Sequence, residues 1–403
     1  MIRFRELWQR LPERLRDYAV RVALWLVLVG AGWAIGRLTG TRVEPVPFPV
    51  YVQVEAPEPI VTMVAFGWVE DRAAVQAVAA TLPFKVFGDT PAGQAADELP
   101  KAVYLWHAYR SISGVNPPPK DQNPIGSCVS FGTNTAIERT MAVEIAIKKE
   151  REEFHFIAEE VTYAGSRVEI GGGRIGGDGS VGAWAAQFVQ KWGVVSREKH
   201  LTYDLSKYDP NRCRAWGRSG VPDDLEPLAR EHPVKDITQI KSWADAKRAL
   251  ANGYGIAICS NQGFAMQRDA RGVCRASGSW AHCMALDGYH TDTDGREYGH
   301  IENSWGANAH TGPVGWGEPS TAGFWAESST IDRMLKQDDS WAFSAVKGFP
   351  RAKRVIDWFV QAHPENHFVD ANKMVPANPL YIASEKRYND RRKANEPEFA
   401  LAP

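Results

Sequence analysis

The chain of 403 residues carries almost no net charge, −1 at pH 7, from 47 basic and 48 acidic side chains. So even a balance excludes the bulk electrostatic attraction that draws a protein onto nucleic acid, and no nucleic-acid partner is expected. Cysteine is scarce: Cys128, Cys213, Cys259, Cys274 and Cys283 are the only five. An odd number leaves at least one thiol unpaired. Long apolar runs are missing too. The longest candidate, Val22 to Ile35 between Arg21 and Arg37, is fourteen residues, short of the about 17 that a membrane span needs unless Gly36 and the snorkelling arginines extend it. The glycine-rich run Gly171 to Ser180 has no strand before it and no Lys-Ser/Thr after it, which excludes a phosphate-binding loop. Asp292-Thr293-Asp294-Gly295 lacks the remaining ligands of a calcium loop and reads as a hairpin turn. His290, His300 and His310 show no metal-ligand spacing and are expected to be surface or structural residues. No metal and no cofactor is expected.

What is present is ordinary globular material, 44% hydrophobic and 24% charged, enough for one large domain with appendages or for two domains. The stretch around which the rest is arranged is Asp121-Gln122-Asn123-Pro124-Ile125-Gly126-Ser127-Cys128-Val129-Ser130-Phe131. A polar loop bearing Pro and Gly runs into small residues and then Cys128. Beyond it Val129, Ala136, Ile137, Thr140, Met141 and Ile145 recur at helical intervals. Cys128 is therefore expected at the amino end of a long helix, where unpaired N–H groups and the helix dipole favour a thiolate. A lone cysteine before a helix is commonly a small core residue, so the case rests on a base and an orienting partner elsewhere. Two downstream segments offer them: Trp280-Ala281-His282-Cys283, running to Gly288-Tyr289, and Asn303-Ser304-Trp305-Gly306.

In these features the chain resembles the papain-like cysteine peptidases. Gln122 falls six residues before Cys128, at the family's oxyanion-hole glutamine. Gly126-Ser127-Cys128 with Phe131 follows its nucleophile run, His282 heads its histidine strand, and Asn303-Ser304-Trp305-Gly306 with Gly315-Trp316-Gly317-Glu318 follows its asparagine segment. Four elements in the right order make a strong signal. The resemblance covers roughly residues 119–348 and implies an α+β fold in two parts, a helical half carrying the nucleophile and a β-rich half carrying His and Asn. The family's extra cysteine ahead of the nucleophile is absent, with Pro124 and Ile125 in that region, so its usual disulfide is not expected. Pairing among Cys213, Cys259, Cys274 and Cys283 is left open.

The rest of the chain is read around that unit. Residues 1–21 form a basic tail with six arginines, and residues 22–40 a membrane anchor or signal segment, with a core helix as the third alternative. Either of the first two puts the catalytic unit outside the cytoplasm. Pro45, Pro47, Pro49, Pro57 and Pro59 make residues 41–60 a stiff stalk. Residues 61–118 are expected to be a connector packed on the catalytic unit; they stand where the family carries an inhibitory pro-segment but lack its signatures. Helices are expected over Glu70 to Leu82, Phe154 to Ser166, Gly182 to Trp192 and Ile240 to Asn252, and strands over Gly255 to Cys259, Met284 to Tyr289 and Tyr298 to Asn303, with residues 196–235 loop-like. Residues 350–403 form a polar extension in which basic clusters alternate with acids.

The resemblance implies a chemistry. Cys128 attacks a peptide carbonyl, His282 carries the proton, Asn303 orients the imidazole, and the Gln122 amide with the Cys128 N–H holds the oxyanion. Asp178, Gly179 and Ser180 align with the wall on which substrate backbone lies, where bare glycine backbone lets another backbone approach. Trp305 shields the His–Asn bond and Trp280 narrows the pocket beside the scissile bond. Val129 and Ala281 depart from the family's usual neighbours without removing a reacting group. A peptide-binding or assembly protein on the same scaffold and a cell-wall amide hydrolase are the competing functions.

Overall fold

The computed structural model describes residues 67–344, apart from 96–97, 123 and 149–152. The expected apolar helix at 22–40, the basic tail, the stalk and the extension at 350–403 lie outside the described residues. Among the described residues no helix is long and apolar enough to cross a membrane.

The elements run α1 (Arg72–Ala80), β1 (Ala102–Tyr104), α2 (Trp106–Ser113), α3 (Cys128–Val143), α4 (Glu159–Gly165), α5 (Gly182–Trp192), α6 (Pro210–Ser219), α7 (Glu226–Glu231), β2 (Ile237–Gln239), α8 (Trp243–Ala251), β3 (Ile256–Arg268), β4 (Cys274–Thr291), β5 (Glu297–Glu302), β6 (Phe324–Glu327), α9 (Ser328–Leu335) and β7 (Ser340–Phe343). The strands form one antiparallel sheet in the order β2-β7-β3-β4-β5-β6, with β1 added against β4. Mixed helices and an antiparallel sheet are the α+β arrangement expected.

Helix α3 is buried along its whole length, wedged between the other helices and the sheet. Such a helix must bury charge, and each buried charge is paired because an unpaired one is costly. Lys120 reaches Glu138 and Glu159, both at 2.7 Å; Arg197 bonds Glu159 and Glu160, and Arg212 bonds Glu160 at 2.8 Å. On the sheet side, Arg139 donates to Asp287 at 2.8 Å and Asp287 accepts from His300 Nδ1 at 2.6 Å. The helix that begins at Cys128 is thereby bolted to the strand that carries His282.

The sequence reading needs three corrections here. Residues 196–235 hold two helices, α6 and α7. The start of α6 was visible: Asp209 accepts from Asn211 N at 2.8 Å, and Pro210 occupies the first turn. The helix expected from Phe154 begins only at Glu159; Phe154 and Phe156 are used instead in an aromatic cluster with Tyr109. And β3 and β4 run far beyond the expected segments, to Arg268 and back to Cys274, as a polar ribbon with register shifts whose alternation is too weak to read as strand.

Candidate active site

Cys128 opens α3, as its sequence pattern predicts. The backbone N–H groups of Cys283, the residue after His282, of Val129 and of Cys128 itself pull its pKa down. These donors favour a thiolate, yet Cys128 is wholly buried, and that burial outweighs them and pushes the thiol up to about 12. In this arrangement Cys128 is a thiol, which corrects the expectation of a thiolate set by the helix end.

His282 stands on β4 opposite Ser260 of β3. Its Nε2–H donates to Asn303 Oδ1 at 2.9 Å, and the Trp305 ring lies over the imidazole, centroids 4.5 Å apart and tilted by 30°. Trp280 meets Trp305 edge-on at 4.7 Å. Asn303 follows directly on β5. Its Oδ1 also accepts from Ser304 N at 2.8 Å, while its Nδ2–H donates to His310 Nε2 at 3.1 Å. Ser304 N can only donate, so the oxygen of the carboxamide must face it and the Asn303 side chain has one orientation. His310, buried here, was read as merely surface or structural. Only its place seven residues past Asn303 hinted at a role. Burial, with Arg268 and His282 nearby, lowers it to about 4, so near neutral pH it is an unprotonated acceptor.

Gln122 is buried against the asparagine segment: its N–H donates to Ser304 O at 2.8 Å, and its Oε1 accepts from Ser304 Oγ at 2.7 Å. One amide proton is used on Ile125 O at 2.9 Å. The next residue back, Asp121, bridges to Trp305. The glutamine loop and the asparagine segment are thus laced together.

The glycine-rich run is held by Arg167, whose guanidinium donates to the carbonyls of Gly179, Ile175, Gly177 and Gly217. Asp178 pairs with Arg214 at 3.0 Å, and Gly179 N donates to Tyr163 Oη at 3.0 Å. Ser180 meets backbone, but the backbone is the protein's own. Ser180 N donates to Gly67 O at 2.8 Å, and Val69 N donates to Ser180 O at 2.9 Å. On the other side Trp68 N donates to Ala281 O at 2.9 Å, one residue before His282. Residues 67–69 therefore link the glycine-rich wall to the histidine strand. The approach is tight enough to demand glycine: at Gly67 (φ +97°) a Cβ would stand 2.2 Å from Gly126 O.

The remaining candidates are structural. Cys259 and Cys283, opposed in β3 and β4, form a disulfide, while Cys213 and Cys274 are free and buried. Of the three histidines, His300 gathers carboxylates: oxygens of Asp287 and Glu302 and one of its nitrogens lie within 4.8 Å of one another. Arg139 already neutralises Asp287, so the group is a buried ion network.

A model of the papain family of cysteine proteases matches residues 106–325. The chain belongs to that family. It is 25% identical over 228 residues to the cysteine endopeptidase RepA of Oryza sativa subsp. japonica, covering 56% of this chain and 52% of that one; the chain spans about half the length of the curated relative it matches. Among solved structures it is similar to xylellain, a cysteine protease from Xylella fastidiosa, at a TM-score of 0.44 and 18% identity over 72% of this chain and 94% of that one. It is also similar to procathepsin L 3 of Tenebrio molitor, at 0.41 and 16% over 68% and 79%.

Proposed function

We propose that the protein is a cysteine endopeptidase working through Cys128, His282, Asn303 and Gln122. The observation that carries this reading is the bond from His282 Nε2 to Asn303 Oδ1 under Trp305, with Cys128 buried at the start of α3. With Nε2 committed to Asn303, Nδ1 takes the thiol proton. The sulfur attacks the peptide carbonyl, and the imidazolium gives its proton to the departing amine, leaving a thioester. Water, losing a proton to the same nitrogen, then attacks the thioester and releases the acid and the thiol. The oxyanion is held by the Cys128 N–H and by the Gln122 amide proton not used on Ile125, each donor worth about 3 kcal/mol. Asp178, Gly179 and Ser180 bind substrate backbone, with Trp280 beside the scissile bond.

In this reading the buried, protonated Cys128 belongs to a latent state. Residues 67–69 hold backbone groups of Ser180 and Ala281 that a substrate needs, so part of the 61–118 region acts as an inhibitory strap rather than as a plain connector. The apolar segment at 22–40 serves export. The test is labelling of Cys128 by an epoxide-type thiol inhibitor together with cleavage of casein, both lost in Cys128→Ala. Cleavage of peptidoglycan but not casein supports the amide-hydrolase alternative, and labelling without any cleavage supports a binding protein.

A further inference from the structure

The loop from Gln122 to Cys128 carries the two oxyanion donors at its two ends, and a side chain from the helical half joins those ends. Tyr208, two residues before α6, donates its hydroxyl proton to Gln122 O at 3.2 Å, and Ser127 Oγ stands 3.2 Å from the same phenol oxygen. With the phenol proton spent on Gln122, the Ser127 hydroxyl is the donor to Tyr208. Ser127 is the N-cap of α3, where a serine ordinarily accepts from an N–H of the first turn. It makes no such bond; its hydroxyl goes to Tyr208 instead. Tyr208 is itself held in place. Its ring meets Phe131 edge-on at 5.0 Å. On either side of it, Lys207 O accepts from Arg212 Nη2 at 2.8 Å and Asp209 N donates to Glu160 Oε1 at 3.0 Å. Burial pushes the phenol well above its ordinary value, so it keeps its proton.

Two such bonds add only modestly to stability, but their place gives them leverage on turnover. An oxyanion donor works when it stands about 2.7–3.1 Å from the charged oxygen, and a misplacement of about 1 Å can cost about 100-fold in rate. We infer that Tyr208 is a positioning residue for the oxyanion hole: its hydroxyl ties the Gln122 carbonyl to the Ser127 hydroxyl and so fixes the separation of the two donors. This inference rests on the peptidase reading.

The competing account makes Tyr208 only a packing residue on Phe131. Tyr208→Phe keeps the ring, removes the hydroxyl and separates the two. The full chain is followed by steady-state cleavage of a peptide and by iodoacetamide alkylation of Cys128, read by intact mass. Cleavage develops an oxyanion; alkylation attacks a saturated carbon and develops none. Strap opening precedes both reactions and weighs on both alike. The expected result in Tyr208→Phe is a fall in kcat of about tenfold or more with KM within about twofold of native, the mark of an interaction used in the transition state. Cys128 alkylation stays within about twofold of native, because thiolate and imidazole are untouched. An unchanged kcat, a loss confined to KM, or kcat and alkylation falling together overturns the inference. If Tyr208→Phe does not fold, Ser127→Ala removes the other end of the bridge and is read by the same two measurements and the same criteria. If iodoacetamide labels Cys128 in the native chain and no peptide is cleaved, the peptidase reading fails, and this inference with it.

Discussion

The support that His310 gives to Asn303 has consequences that can be measured separately. The imidazole is buried, its Nε2 accepts from Asn303 Nδ2 at 3.1 Å, Cys274 Sγ stands 3.7 Å from its Nδ1, and the Phe324 ring packs at 4.6 Å. Its pKa falls from 6.5 to about 4, first by burial and then by the charges of Arg268 and His282. Because the folded-state value lies below the unfolded one, this group adds stability above pH 6.5 that is lost as pH falls through 4. The gap is worth about 3 kcal/mol. Protonation also turns Nε2 into a donor facing a donor, so Asn303 must turn and His282 loses its acceptor. His310→Leu removes the acceptor outright and is expected to lower stability by about 1–3 kcal/mol and kcat/KM by roughly 10- to 100-fold. His310→Gln keeps an acceptor without titrating and is expected to retain most of the activity and to lose less stability than the native protein between pH 6.5 and 4. The assay is thermal melting across that range with peptide turnover at pH 6.5. Parallel acid losses in the native protein and His310→Gln, or native turnover in His310→Leu, would refute the reasoning.

Two other perturbations address the frame and the strap. Arg139→Leu leaves Asp287 buried without its guanidinium partner, between His300 and Glu302, and is expected to cost about 3–5 kcal/mol in denaturant unfolding; a loss under 1 kcal/mol would deny the bolt between α3 and β4. Gly67→Ala forces a Cβ onto Gly126 O and is expected to speed iodoacetamide alkylation of Cys128 at pH 7.5 at least tenfold, read by mass spectrometry. Equal rates in Gly67→Ala and the native chain would show that residues 67–69 do not limit access.

Much of the site was legible because its chemistry sits in contiguous runs. Gly126-Ser127-Cys128 before a helical period and Asn303-Ser304-Trp305 after a strand announce themselves locally, and α5 falls where its period and Gly193 place it. What was missed depends on tertiary encounter. Arg167 is one arginine among many until four carbonyls gather on it, and His310 is an ordinary loop histidine until Asn303 turns to it. Trp68 lies on no motif; only the fold lays it against Ser180 and Ala281 and aims it at Asp339, 271 residues away. The protonation of Cys128 was misjudged because a helix end is readable in sequence whereas the depth of burial is not.

The central claim is that the sulfur and the imidazole work as one unit, and the pH dependence of Cys128 alkylation tests it most directly. The measurement is made in the Gly67→Ala chain with and without His282→Ala. With His282 present the account expects rapid alkylation to persist down to about pH 5–6, because the imidazolium holds the thiolate. Without His282 the reaction should begin only near the ordinary thiol range, at about pH 8 and above. Identical profiles in the two proteins would contradict the account.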